Sequence, residues 1–155
     1  MPMEEQVAKS LISAQKTLAI AESCTGGLLA HRLTNIPGSS KFLKFVVVAY
    51  SNEAKSKFLK VPRQLIRQYG AVSSRIAVAM AQGARNIFNT DFGIGITGIA
   101  GPTGGSKSKP IGLTFIAICT RQETLCLECH FKGTRKNIKT QASAQALRLL
   151  SEFLT

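Results

Sequence analysis

The stretch Ala21-Glu22-Ser23-Cys24-Thr25-Gly26-Gly27 constrains this chain more than any other. An apolar run, Thr17 to Ala21, leads into it, and a helix-patterned run, Leu28 to Leu33, leads out. The pattern predicts a strand, a tight turn and a helix start. That geometry holds a hydroxyl clear of a sheet, beside unpaired helix N–H groups. Such groups favour a phosphate or a developing oxyanion, and glycines let the backbone approach a ligand closely. The same residues also read as plain structure, with Ser23 or Thr25 as an N-cap and the glycines as a turn.

The flanking sequence alternates helix and strand signals. Glu4 to Lys16 carries Val7, Ala8, Leu11, Ile12 and Ala14 at helical spacing. Pro37-Gly38-Ser39-Ser40 ends the second helix, and Ser39 or Ser40 caps a short helical piece, Lys41 to Lys44. The unbroken run Phe45 to Tyr50 predicts an interior strand buried on both faces. Ser51 or Asn52 then caps a helix with Lys55 in its first turns. A lysine there opposes the helix dipole, and positive surroundings lower its pKa as a base requires. An exposed, solvated lysine is the plainer reading.

Further on, Val61-Pro62 starts a short helix to about Gln68. Ser73 to Phe88 is a long one with Ile76, Met80, Ala84 and Ile87 on one stripe. Phe92 to Thr97 is a glycine-bearing strand. It opens into Gly98 to Pro110, where four glycines and two prolines fall in thirteen residues. Loops of that length inside a domain are usually functional or disordered, and here glycine N–H groups with Lys107 and Lys109 suit a phosphate. No G-K-[ST] follows, so it is not a P-loop. Gly112 to Thr120 and Thr124 to Phe131 predict an antiparallel pair. Thr134 caps a last helix with Ile138, Ala142, Ala146, Leu149 and Phe153 on one stripe.

Interspersed helices and parallel-type strands closed by a hairpin predict a three-layer α/β/α domain with a mixed central sheet, one domain over residues 1–155. Sites in such folds gather at strand carboxyl ends, where Ser23, Tyr50, Lys55 and Thr97 all fall. The net charge of +12 raises nucleic-acid binding as a function class. Its lysines and arginines are scattered, however, aromatics are sparse, and no nucleic-acid module motif appears. A basic surface around an anionic small-molecule site explains the charge equally well. No run approaches the roughly 18 apolar residues of a membrane span. The acidic start, Met1 to Glu5, does not resemble a signal peptide, so the cytoplasm is expected. Cys126 and Cys129 form a C-x-x-C, but an odd offset in a strand puts them on opposite faces, against a metal or redox pair. His31 and His130 stand isolated from every motif.

Taken in order, Ala21–Gly27, Gly38–Ser40, Tyr50–Lys55, Tyr69–Ser73, Gly98–Pro102 with Gly104-Gly105, and Lys109–Gly112 resemble the C-terminal domain of the CinA (competence-damage-inducible protein) family. The resemblance covers essentially the whole chain. It implies hydrolysis of nicotinamide mononucleotide to nicotinate mononucleotide and ammonia, by a serine–lysine arrangement with no metal or organic cofactor. Activities of the molybdopterin-binding-like N-terminal domain of longer members are not expected. On this reading Ser23 is the nucleophile and Lys55 the base, working through Ser40, with Ser39 as the other candidate relay. Tyr50 and Thr97 orient the reacting groups. Backbone around Cys24, Thr25, Gly26 and Gly27, or around Gly98, Ile99 and Ala100, holds the oxyanion. The Gly101–Ser106 loop, including Gly104 and Gly105, and Arg135 take the phosphate. Cys24 is the rival nucleophile.

Members commonly carry an acidic residue where this chain has Thr134, and a second arginine where it has Lys139. Lysine keeps the charge but loses bidentate phosphate geometry. A homodimer fits the family, and no membrane partner is expected. The alternatives are a non-catalytic basic module for nucleic acid or a recombination protein, and an amidase for another anionic amide.

Overall fold

A computed structural model describes residues 1–155. Its five strands form one sheet in the order β2-β1-β3-β4-β5. The first strand, β1 (Leu18–Glu22), is buried along its whole length. It lies between two parallel neighbours, β2 (Leu43–Val48) and β3 (Phe92–Gly98). Antiparallel β4 (Leu113–Cys119) and β5 (Thr124–His130) complete the sheet.

Six helices cover the two faces. On one side, α1 (Met3–Ala14), α2 (Leu28–Thr34) and α6 (Arg135–Phe153) bury Leu11, Leu29, Leu33 and Leu147 against Leu18, Ile20, Ile94, Ile96 and Ile116. On the other, α3 (Asn52–Leu59), α4 (Arg63–Tyr69) and α5 (Ser74–Phe88) bury Leu59, Ile66, Ile76 and Met80 against Ala19 and Ala21. Alternation along β1 thus feeds both cores, because successive side chains point to opposite faces. The three-layer expectation holds.

Chain direction positions the site. From β1 the chain crosses one face through α2 to β2, then crosses the other face through α3 to α5 to reach β3 on the far side of β1. A crevice therefore opens at the carboxyl ends of β1 and β3, where neighbouring connections diverge. Helix α5 reaches the sheet without intervening side chains. A Cβ at Gly95 would stand 2.2 Å from the Ala77 carbonyl oxygen, and one at Gly93 would stand 2.3 Å from that of Ala81. Only glycine allows this contact.

Three expectations are corrected. The Phe45–Tyr50 run is not an interior strand: β2 is a sheet edge, paired with β1 alone, and Val48 is exposed. Ile87 is exposed near the end of α5, whose buried stripe is Ile76, Ala77, Met80, Ala81 and Ala84. The helical piece after Gly38 is a single 3-10 turn, Ser39–Lys41, lying before β2. Cys126 and Cys129 do face opposite cores, and all four cysteines are free. No helix is long and apolar enough to cross a membrane.

Candidate active site

Ser23 follows directly on β1, and 92% of it is shielded from solvent (8% exposed). The turn after it depends on Gly26 and Gly27, which hold φ values of 62° and 99°. Neither Ser23 nor Thr25 caps α2. The cap is supplied by Glu22, fully buried at the end of β1. Its Oε1 accepts from the Thr25 hydroxyl at 2.5 Å and from the Gly27 and Leu29 amides at 3.2 Å. Its Oε2 accepts from the Ala30 amide at 3.0 Å. A carboxylate on a helix N-terminus is favourable, and this one consumes the N–H groups expected to await a ligand. Thr25 is thereby committed to Glu22 and withdrawn from substrate contact. Gly26 donates to the Ser23 carbonyl, so Gly26 and Gly27 build the turn and do not hold an oxyanion. The amides of Cys24 and Thr25 donate to no protein acceptor.

Lys55 approaches Ser23 from α3. Ser51 caps that helix by accepting from the Ala54 amide at 3.0 Å, which places Lys55 one turn in, pointing at the sheet. Its side chain is 2% exposed. Nζ lies 3.1 Å from Ser23 Oγ and donates to the Ala49 carbonyl oxygen at 2.8 Å. The ion pairs of the chain are Lys16–Asp91, Arg32–Glu4 and His130–Glu128, so no carboxylate balances it. Burial lowers the Lys55 pKa from its ordinary value. The cause is desolvation, not the positive helix terminus expected from the sequence.

Ser39 and Ser40 are absent from this assembly. Both precede β2, at the amino end of the parallel strands, whereas Ser23 and Lys55 follow the carboxyl ends. Six residues of β2 span about 20 Å. Ser40 is exposed, and its carbonyl accepts from Lys44 Nζ. The relay assigned to Ser40, or to Ser39, is therefore corrected: within this chain Lys55 reaches Ser23 directly.

A cleft of about 270 Å³ lies over Ser23. Thr97, 1% exposed, donates its hydroxyl to the Ala71 carbonyl at 2.8 Å and ties the end of β3 to the segment before α5. Gly98, Ile99, Ala100, Gly101 and Gly104 line the cleft as expected. Ile99 spends its amide on the Leu113 carbonyl, while the Ala100 and Gly101 amides have no protein acceptor. Gly105 does not line the cleft; it backs onto Ile111. Lys109 is spent too: its Nζ donates to the Tyr69 carbonyl at 2.6 Å, pinning the loop to the end of α4. Arg135, at the start of α6, donates to the Gly101 carbonyl and, at 2.9 Å, to the Tyr50 hydroxyl. Thr134 forms a capping box with Asn137, which fixes that start.

Cys24 also lines the cleft, but burial pushes its thiol up to about 11. It is a poor nucleophile at neutral pH. Sequence reading missed Glu22, Asn52, Ala71 and Val72. The last three line the cleft, and Ala71 and Val72 sit in the Tyr69–Ser73 motif, which had no role attached. Lys139 was known only as a substitution; its ammonium stands over Gly26, 3.3 Å from where a Cβ would be. Both histidines are exposed and outside the cleft.

Residues 1–154 match the family described as CinA C-terminal domain. A CinA-like protein of Syntrophus aciditrophicus is 48% identical over 153 residues, which is 98% of this chain and 36% of that protein. The chain thus spans about a third of the length of the curated relatives it matches. A competence/damage inducible protein from Agrobacterium tumefaciens, of known structure, superposes with a TM-score of 0.93 at 35% identity, covering 100% of this chain and 98% of that one. Competence damage-inducible protein A from Klebsiella pneumoniae gives 0.95 at 34% identity, covering 98% and 94%.

Proposed function

The chain belongs to the CinA C-terminal-domain family, and on that premise we propose that it deamidates nicotinamide mononucleotide to nicotinate mononucleotide and ammonia, with Ser23 as nucleophile and Lys55 as base. One observation carries the reading: a buried lysine without a carboxylate partner, 3.1 Å from a serine hydroxyl at the mouth of a cleft.

The chemistry follows from that pair. Lysine is a strong enough base for a serine only as the free amine, and burial favours that form. The Ala49 carbonyl accepts one N–H and fixes the orientation of the nitrogen. The lone pair then takes the Ser23 proton as Oγ bonds to the carboxamide carbon. The oxyanion is received by the Cys24 amide, which lines the cleft and has no partner of its own. Lys55 returns the proton to the departing nitrogen, the C–N bond breaks, and ammonia leaves a nicotinoyl ester on Ser23. Water, deprotonated by Lys55, hydrolyses the ester and restores the hydroxyl. The pyridinium charge of the substrate further disfavours a protonated Lys55. Arg135 and the Gly101–Gly104 backbone bind the phosphate, and Tyr50 steadies the guanidinium.

The test is ammonia release from nicotinamide mononucleotide by wild type and Ser23→Ala, with nicotinamide and nicotinamide riboside as controls. Activity on the mononucleotide, lost in the variant, is expected. A folded, inactive wild type overturns the proposal and turns attention to other anionic amides or to a binding role.

A further inference from the structure

A second cavity lies apart from the cleft over Ser23: a groove of about 410 Å³ between α3 and α4, walled by Asn52, Glu53 and Ser56 on one side and Arg63, Ile66 and Arg67 on the other. Arg63 and Arg67 are one turn apart on α4, so both guanidinium groups meet the same groove. Neither has a carboxylate partner, because the ion pairs of the chain lie elsewhere. Glu53 shares the groove but pairs with neither arginine. Ser56 Oγ is buried without any hydrogen-bond partner, so a turn of its χ1 toward the groove would break no bond.

We propose that this groove binds the phosphate of a small phosphomonoester, of nucleotide size, at a site separate from the Ser23 cleft. The two arginines supply the charge and the forked donors that a phosphate requires. Ser56, turned toward the groove, gives its unpaired hydroxyl to a phosphate oxygen, and the Asn52 amide adds a donor at the rim. The groove is larger than the cleft over Ser23, leaving room for a sugar and base beside the phosphate. Glu53, unpaired at the edge, accepts from sugar hydroxyls. The two cavities share α3: Asn52 lines both, and Lys55 leaves the same helix toward Ser23. The inference stands on its own geometry and does not depend on the amidase reading.

The experiment is a nuclear magnetic resonance titration of the full chain with inorganic phosphate, adenosine 5′-monophosphate and adenosine. Backbone amides of Ser56, Arg63 and Arg67 should move with both phosphates and not with adenosine. Tighter binding of the nucleotide assigns a nucleotide; equal binding assigns free phosphate to the same site. In Arg63→Gln/Arg67→Gln these shifts should need about tenfold more ligand or vanish, while shifts near Arg135 persist. Both arginines are exposed, so the variant keeps the core intact. Unmoved amides in wild type, shifts confined to the Arg135 region, or an unchanged affinity in the double variant would each overturn the site.

Discussion

Lys55 Nζ stands 3.1 Å from Ser23 Oγ and is anchored by the Ala49 carbonyl, without a carboxylate to share its charge. The protonated form is therefore the costly one, and its cost should appear in both rate and stability. Deamidation should rise with pH through the Lys55 titration, with an inflection below the roughly 10.4 of a free lysine. For stability, a depressed native pKa means that the unfolded chain binds the proton more readily. The penalty is absent above the unfolded value, grows as pH falls toward the native one, and is constant below it. Stability thus increases with pH across that window. Lys55→Met should flatten this slope, cut deamidation by about 10²- to 10⁴-fold and leave the protein at least as stable at neutral pH. Urea unfolding over a pH series checks it; a variant with the wild-type slope would show that Lys55 is not the titrating group.

Cys24 supplies a contrast one residue away. With its thiol at about 11, only about one molecule in a thousand carries the thiolate at about pH 8. Iodoacetamide should leave native Cys24 largely unmodified, and Cys24→Ala should keep its rate within about tenfold of wild type. Mass spectrometry and ammonia release are the measurements. A complete loss of rate in Cys24→Ala, with Ser23→Ala active, would reverse the assignment of nucleophile.

Arg135 should act on binding and not on bond breaking. Arg135→Gln should raise KM for nicotinamide mononucleotide by about 10- to 100-fold with kcat changed only a few-fold. Any activity on nicotinamide riboside should be indifferent to it. A fall in kcat alone would place Arg135 with the reacting groups.

Glu22 should matter chiefly to the fold. Glu22→Gln keeps the shape but turns one acceptor into a donor facing the Thr25 hydroxyl or the α2 amides. The lost charge-assisted bonds and helix-terminus interaction together amount to about 3 kcal/mol. Chemical denaturation would measure the loss, and a wild-type midpoint would show that the carboxylate is replaceable.

The local patterns were legible because each rests on neighbours in sequence. The β1 turn, a cap at Ser51 or Asn52, Lys55 inside α3, Thr134 as cap, and Cys126 opposite Cys129 all follow from spacing alone. What escaped depends on partners far along the chain. Ser40 entered as a relay only through the family resemblance, whereas the whole length of β2 lies between it and Lys55 and sets them at opposite ends of the sheet. The Phe45–Val48 run looks doubly covered, yet whether a strand is interior depends on its place in the order β2-β1-β3-β4-β5. Lys109 looks free for phosphate until the loop folds back onto Tyr69. Glu22 gave no signal, because a charged residue closing an apolar run ordinarily marks the exit to solvent.

The bare contact of α5 on β3 bears on redesign. With the Ala77 and Ala81 carbonyls resting where Gly95 and Gly93 have no side chains, helix and strand form a single slab whose thickness cannot be adjusted by mutation. Thr97 extends from that slab, and the Tyr69–Ser73 segment is moored to it through Ala71. Diversity aimed at a new substrate therefore belongs in the Ile99–Ser106 loop and the first turn of α6, which can be rebuilt while the slab serves as their fixed datum.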